Sequence, residues 1–221
     1  LKILIEMDGP LVDVRARYYE VHRRIMIELG LPAVSPDPFW RLVRRDEPTE
    51  AFVPGGRAKH AERYARRFTE LSECDDVLML DEAQDDAAGA LRSLKPLGES
   101  ILITLRLNRP GAQDVMNRLD LSAYFLRVCG LSQSQGRRED QLRELAGDAR
   151  RVLVVAGSEP VIIAAREVDL PVVGVTCGSR TPQNLRRAGA DVLFADLDAV
   201  SIALATGAEE IQRAGLLPRG V

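Results

Sequence analysis

The chain has 221 residues, a formal net charge of −3, 46% hydrophobic residues and 29% charged residues. That length buries a sizeable core, in one α/β domain with an insertion or in two small domains, and a slightly acidic balance speaks against a nucleic-acid or anionic-membrane surface. No apolar run approaches a membrane span. Cys74, Cys129 and Cys177 form no C-x-x-C pair, and His22 and His60 are the only histidines, so neither a zinc site nor a histidine metal cluster is expected, and reduced thiols suit a cytoplasmic protein. Acids at Glu6 and Asp8 break any apolar leader.

Ile3-Leu4-Ile5 reads as a short buried strand, and Glu6 and Asp8 leave its end before a Gly9-Pro10 turn. Side chains alternate faces along a strand, so both carboxylates start on one side. Open α/β sheets bind ligands at the C-terminal ends of their strands. Residues 14–29 read as a helix, with Tyr18, Val21, Ile25 and Leu29 near helical spacing and Gly30 as its cap. Pro32, Pro36 and Pro38 break the chain before a short helix at residues 39–43. Pro54-Gly55-Gly56 is a turn, residues 57–71 a basic helix and residues 81–94 another. No strand is expected between Val14 and Leu94, so residues 14–94 read as an all-helical insertion, a cap on a core made of residues 1–13 and 95–221.

Strands resume at residues 101–104, 124–128, 152–156, 172–176 and 192–194. Each is short, apolar and β-branched, as in a parallel sheet covered on both faces. Helices fit between them at residues 111–119, 138–146, 159–168, 182–188 and 197–205, and a closing helix follows Gly207. With right-handed crossovers this is a doubly wound, Rossmann-like α/β sheet. No G-x-G-x-x-G follows any strand, which weighs against a dinucleotide site.

The stretch Glu6-Met7-Asp8-Gly9-Pro10-Leu11-Val12-Asp13 resembles the first motif of the haloacid dehalogenase superfamily, D-x-D-G-x-L-x-D. Asp8, Gly9, Leu11 and Asp13 match; Glu6 stands where the family has its Asp nucleophile. The stretch from Val172 to Gly178 resembles phosphoglycolate-phosphatase-like members, whose cap is a helical bundle inserted after the first motif. The resemblance implies that position 6 attacks a phosphoryl group. It implies that Asp8 is the general acid and base, and that Glu6 and the Asp8 carbonyl ligate Mg²⁺. Thr104, with the following N–H at Leu105, would hold a phosphate oxygen. The family's third-motif Lys has no counterpart; Arg138 aligns best, with Arg137 as the alternative. The fourth motif, G-D-S/T-x-x-D, reads Ala156-Gly157-Ser158-Glu159-Pro160-Val161, so Gly157 and Val161 replace its two acids. Glu159 is offset by two residues and suits the first turn of a helix. Gly55, Gly56, Arg57 and Lys59 are candidate cap contacts to a substrate.

Glu6 is one methylene too long for the nucleophile, and an error of roughly 1 Å can cost on the order of 10²-fold in rate. Mg²⁺ wants hard oxygen ligands in near-octahedral geometry, so the loss at Gly157 leaves its binding weak or absent. The expectation is therefore a phosphatase-ancestry protein with weakened or lost Mg²⁺-dependent catalysis. It would still bind a small phosphorylated metabolite or phosphate-like anion through Thr104, Arg138 and the helix N-terminus after Ser158. The alternative is a working Mg²⁺-dependent phosphatase acting on a small phosphorylated metabolite. As a non-catalytic module the chain would leave a protein partner open.

Overall fold

A computed structural model describes residues 1–55, 58–131, 136–149 and 151–213. The chain starts on β1 (Lys2–Glu6), turns tightly into β2 (Val12–Asp13) and enters α1 (Arg15–Leu29). Next come α2 (Pro36–Arg45), α3 (Ala58–Leu71) and the short α4 (Asp75–Leu78). Then β3 (Glu82–Ala83) returns the chain beside β2 before α5 (Ala87–Leu94). Strands and helices then alternate: β4 (Glu99–Thr104), α6 (Arg109–Arg118), β5 (Val128–Gly130), α7 (Arg138–Ala146), β6 (Val152–Ala156) and α8 (Glu159–Glu167). β7 (Val172–Val175), α9 (Pro182–Ala188), β8 (Val192–Phe194), α10 (Leu197–Thr206) and α11 (Glu209–Arg213) complete the order.

Six strands form one parallel sheet in the order β5-β4-β1-β6-β7-β8. Alternation along the strands divides their side chains between two cores. Ile3, Ile5, Leu102, Val155 and Val173 face one way, against α5, α6 and α10. Leu4, Ile101, Ile103, Val154 and Val172 face the other, against α7, α8 and α9. Each fully buried aliphatic side chain contributes roughly 1.5–3 kcal/mol, so the apolar runs that marked these strands are also what holds them. The chain leaves β1 for β4 and β5 on one side and later fills β6, β7 and β8 on the other. The strand order thus reverses at β1, and a crevice opens at the C-terminal end of that strand, beside Glu6.

α1, α3 and the residues around them pack a separate small core of Val21, Ile25, Met26, Val53, Tyr64 and Val77. Phe52, Tyr64 and Phe68 stack through it, with centroids 5.7 and 5.8 Å apart. This cap is fastened to the sheet by α2. Arg44 Nη2 donates to Thr176 O (2.9 Å), Thr181 N donates to Arg44 O (3.0 Å), and Arg180 pairs with Asp46 (3.1 Å).

Three details differ from the sequence reading. The span from Val14 to Leu94 does hold a strand: β3 pairs antiparallel with β2, Val12 opposite Ala83. Two residues are too few to show a period. The expected helix at 81–94 begins only at Ala87, and Ala87, Ala90, Leu91 and Leu94 pack into the sheet's core rather than the cap's. The expected strand at 124–128 shifts to Val128–Gly130, because Ser122–Tyr124 form a 3₁₀ turn and the backbone joins β4 only from Leu126 N to Ser100 O (3.0 Å). Among the described residues no helix is long and apolar enough to cross a membrane, and the three cysteines form no disulfide.

Candidate functional site

The loops after β1, β6 and β7 meet at three glycines. Gly9 has φ of 101°, a left-handed conformation that disfavours a side chain. A Cβ on Gly178 would lie 2.7 Å from Gly9 Cα, and a Cβ on Gly157 would lie 3.2 Å from Pro10 Cδ and 3.3 Å from the Asp8 carbonyl oxygen. A side chain at position 157, where the family motif has an acid, would be tight against the turn after β1. The close backbone approach also places the Gly157 N–H on Glu6.

Glu6 is buried, 2% exposed. One carboxylate oxygen accepts from Gly157 N (2.8 Å) and the other from Ser158 Oγ (2.6 Å). Burial pushes its pKa up to about 7; the bonds from Ser158 and Gly157 offset only part of that, and the nearby Asp8 charge adds to it.

Asp8 stands two residues on, in the opposite setting. Its Oδ1 accepts from Arg106 Nε (2.9 Å) and its Oδ2 from Arg17 Nη2 (3.0 Å). Burial alone would raise the Asp8 pKa, but the charges of Arg106 and then Arg17 outweigh it and hold the carboxyl below the usual range. The same two guanidiniums reach Asp81, which is fully buried: Arg17 Nε donates to Oδ1 (2.8 Å), and Arg106 Nη2 lies 2.8 Å from Oδ2. Asp8, Arg17, Asp81 and Arg106 therefore close a neutral ring of alternating charge. Arg17 Nη1 donates to Ser72 O (3.0 Å), and Arg118 Nη2 donates to the Asp81 carbonyl oxygen (2.7 Å). Two atoms of the ring are buried without a hydrogen bond: Asp81 Oδ2, which meets Arg106 Nη2 as an ion pair only, and Arg106 Nη1.

A cavity of ≈ 380 Å³ opens between cap and sheet over these groups. Glu6, Asp8, Leu105 and Ser158 line it from the core together with Arg17 and Arg106; the cap adds Tyr18, Phe52, Tyr64 and Phe68. Arg180 also lines it and spans its rim, donating Nε to Glu159 (2.6 Å) while pairing with Asp46.

The other residues singled out in the sequence fall elsewhere. Thr104 is buried, and its Oγ1 accepts from Arg106 N (3.2 Å), shaping the loop rather than lining the cavity. Arg138 opens α7 but is not among the lining residues; Arg137 pairs with Glu139 and Glu167. Val161 is fully buried among the apolar residues under α8. Glu159 is engaged by Arg180. Lys59 is exposed on α3 and does not line the cavity, and Gly56 and Arg57 lie outside the described residues. Sequence reasoning missed Arg17, Arg106 and Asp81. The signal for Arg106 was a charged residue between Leu105 and Leu107 directly after a strand end; Asp81 had none.

The donor set does not fit Mg²⁺ as placed. Of the expected ligands, both carboxylate oxygens of Glu6 are engaged by protein donors, and position 157 offers no carboxylate. Among the described residues no group of three His, Cys, Asp or Glu side chains is placed to hold a metal.

A parallel sheet with an acid pair at its switch strand, and a helical cap inserted just after that strand, is the architecture of haloacid dehalogenase-like hydrolases. One such structure, from Streptococcus pneumoniae, matches 92% of this chain and 97% of its own with a TM-score of 0.74 at 14% identity. In sequence the chain is 25% identical over 223 residues to a phosphoglycolate phosphatase from Mesorhizobium japonicum, covering 92% of this chain and 94% of that one. It is 28% identical over 218 residues to a plasmid phosphoglycolate phosphatase from Cupriavidus necator, covering 90% of each. In fold the chain is thus similar to haloacid dehalogenase-like hydrolases, and in sequence to phosphoglycolate phosphatases. No family model matches it.

Proposed function

We propose that this is a phosphatase-fold protein that binds a small phosphorylated metabolite or similar oxyanion, and whose Mg²⁺-dependent hydrolysis is weakened or lost. The observation that supports this most is the ion-pair ring on Asp8. A general acid must hold a proton at working pH; two guanidiniums pull the Asp8 pKa below the usual range and so work against that role. Glu6 is no better placed as nucleophile, since its oxygens are hydrogen-bonded and a pKa of about 7 leaves much of it protonated at neutral pH. The full-length likeness to phosphoglycolate phosphatases supports a phosphorylated small molecule as the ligand class. Three unpaired thiols suit a reducing cytoplasm.

The second reading is a working Mg²⁺-dependent phosphatase for a small phosphorylated metabolite. Retention of Asp8 and the cavity under the cap favour it. Calorimetric titration with inorganic phosphate separates the two. Saturable binding in EDTA, unchanged by Mg²⁺, is the expected result; binding that requires Mg²⁺ would return the site to the second reading.

A further inference from the structure

Tyr64 is buried, 4% exposed, on α3, yet it lines the cavity. Its hydroxyl lies 2.9 Å from Nδ1 of His22, which is fully buried. The other ring nitrogen of His22, Nε2, accepts from the backbone N–H of Val34 (3.1 Å). A backbone N–H can only donate, so Nε2 must carry the lone pair. A neutral imidazole then has its proton on Nδ1, and that proton is donated to the Tyr64 oxygen. Burial keeps His22 neutral, with its pKa pushed down to about 4. With its oxygen accepting from His22, Tyr64 has its own proton left to give, and that hydroxyl has no acceptor among the described residues.

Arg106, on the loop between β4 and α6, lines the same cavity; it is 4% exposed, and its Nη1 is unpartnered. A buried donor without an acceptor is costly in a protein interior, and such groups are ordinarily satisfied. The two unsatisfied donors come from different units, one from the cap and one from the sheet. Phe52, Phe68 and the ring of Tyr18 supply apolar walls beside them.

We infer that Tyr64 and Arg106 form a two-donor clasp for one oxyanion of a small organic acid whose apolar body lies against the cap aromatics, and that His22 is the positioning residue that frees the Tyr64 proton for it. This rests on the anion-binding reading of the cavity given above. It adds the groups that read the anion, neither of which is a carboxylate of the acid pair. Because the clasp spans cap and core, a bound oxyanion also ties the two together.

The test is calorimetric titration in EDTA with phenyl phosphate and with phenylacetate, on the wild type and on Tyr64→Phe. Wild type binds at least one probe saturably, and Tyr64→Phe weakens it about tenfold or more, as expected for a hydrogen bond to a charged group. Weakening with phenyl phosphate identifies the oxyanion as a phosphate ester, and weakening with phenylacetate identifies it as a carboxylate. Long-range ¹H–¹⁵N NMR of the wild type should show His22 protonated on Nδ1, a signature that packing alone would not set. If Tyr64→Phe folds poorly, Arg106→Lys, which keeps a positive charge beside Asp8, serves as the second variant and should weaken the same probe. A folded Tyr64→Phe that binds as well as wild type, or a His22 protonated on Nε2, overturns the clasp while leaving the anion-binding reading intact. A wild type that binds neither probe removes that reading and the clasp with it.

Discussion

Glu6 and Asp8 leave the same strand two residues apart, and the fold treats them in opposite ways. Glu6 meets only neutral donors, a backbone N–H and a serine hydroxyl, and burial wins: its pKa is pushed up to about 7. Asp8 meets two guanidiniums, which overcome burial and keep it charged. At these two residues the charge on the donor sets the direction, whereas at Asp81, fully buried between the same guanidiniums, burial still pushes the pKa up. In the pattern the chain resembles, the acid at position 6 and the carbonyl of Asp8 hold a divalent cation. Here the positive charge at Asp8 comes from the chain itself.

Breaking the Asp8 side gives the largest expected effect. Arg17→Met leaves the fully buried Asp81 with one cation instead of two and strands Ser72 O. Removing one partner of a buried ionic group costs about 3–5 kcal/mol, read as a lower urea midpoint. A loss under about 1 kcal/mol would mean that the ring is not held as described.

Glu6→Gln sharpens the other side through pH. Glu6 has a folded pKa of about 7 against an ordinary 4.5, so its contribution is full below about 4.5 and is lost as pH rises to about 7. His22 has the opposite sign: its folded pKa is about 4 against 6.5, so its contribution is full above 6.5 and is lost as pH falls toward 4. Across the shared window the two oppose each other in the wild type, each by at most roughly 1.4 kcal/mol per pH step. Removing Glu6 unmasks His22, so the stability of Glu6→Gln should rise from pH 4.5 to 6.5 and then level off. Urea unfolding at three pH values checks this; parallel wild-type and variant profiles would show that Glu6 titrates normally.

The glycine junction that brings Gly157 onto Glu6 is the next point to perturb. Gly178→Ala places a Cβ 2.7 Å from the Gly9 backbone, an overpacking expected to cost about 1–3 kcal/mol. Its thermal unfolding should fall below that of an alanine placed at the open position Gly30, where nothing lies within 4 Å. The smallest effect belongs to the rim. Arg180→Ala removes a half-exposed link to Asp46 and Glu159, worth about 1 kcal/mol or less. It should speed amide hydrogen exchange at the end of α2 while leaving the sheet unchanged.

The sheet was legible because each of its strands is an apolar run between turn residues, and the acid pair because it interrupts the first of them. Val161 and Gly157 were legible as departures from a motif, but not the three-loop contact at Gly157, which joins residues far apart in the chain. Arg17 looked like one more basic residue on a helix, and its partner Asp81 lies 64 residues away. His22 and Tyr64 were invisible as a pair for the same reason: 42 residues separate them, and only the packing of the cap joins them. Arg138 was chosen by order along the chain, whereas the cation nearest the acids arrives on the β4–α6 loop as Arg106.

The most direct test of the central claim, that Asp8 is occupied by internal cations and withdrawn from Mg²⁺-dependent chemistry, is phosphate release by the wild-type protein. Phosphoglycolate and 4-nitrophenyl phosphate serve as substrates, with and without Mg²⁺, and Asp8→Asn as the blank. The expected result is release at the level of the blank, with no response to Mg²⁺. Robust turnover that needs both Asp8 and Mg²⁺ would contradict it and establish that the Arg17 and Arg106 ion pairs open when substrate binds.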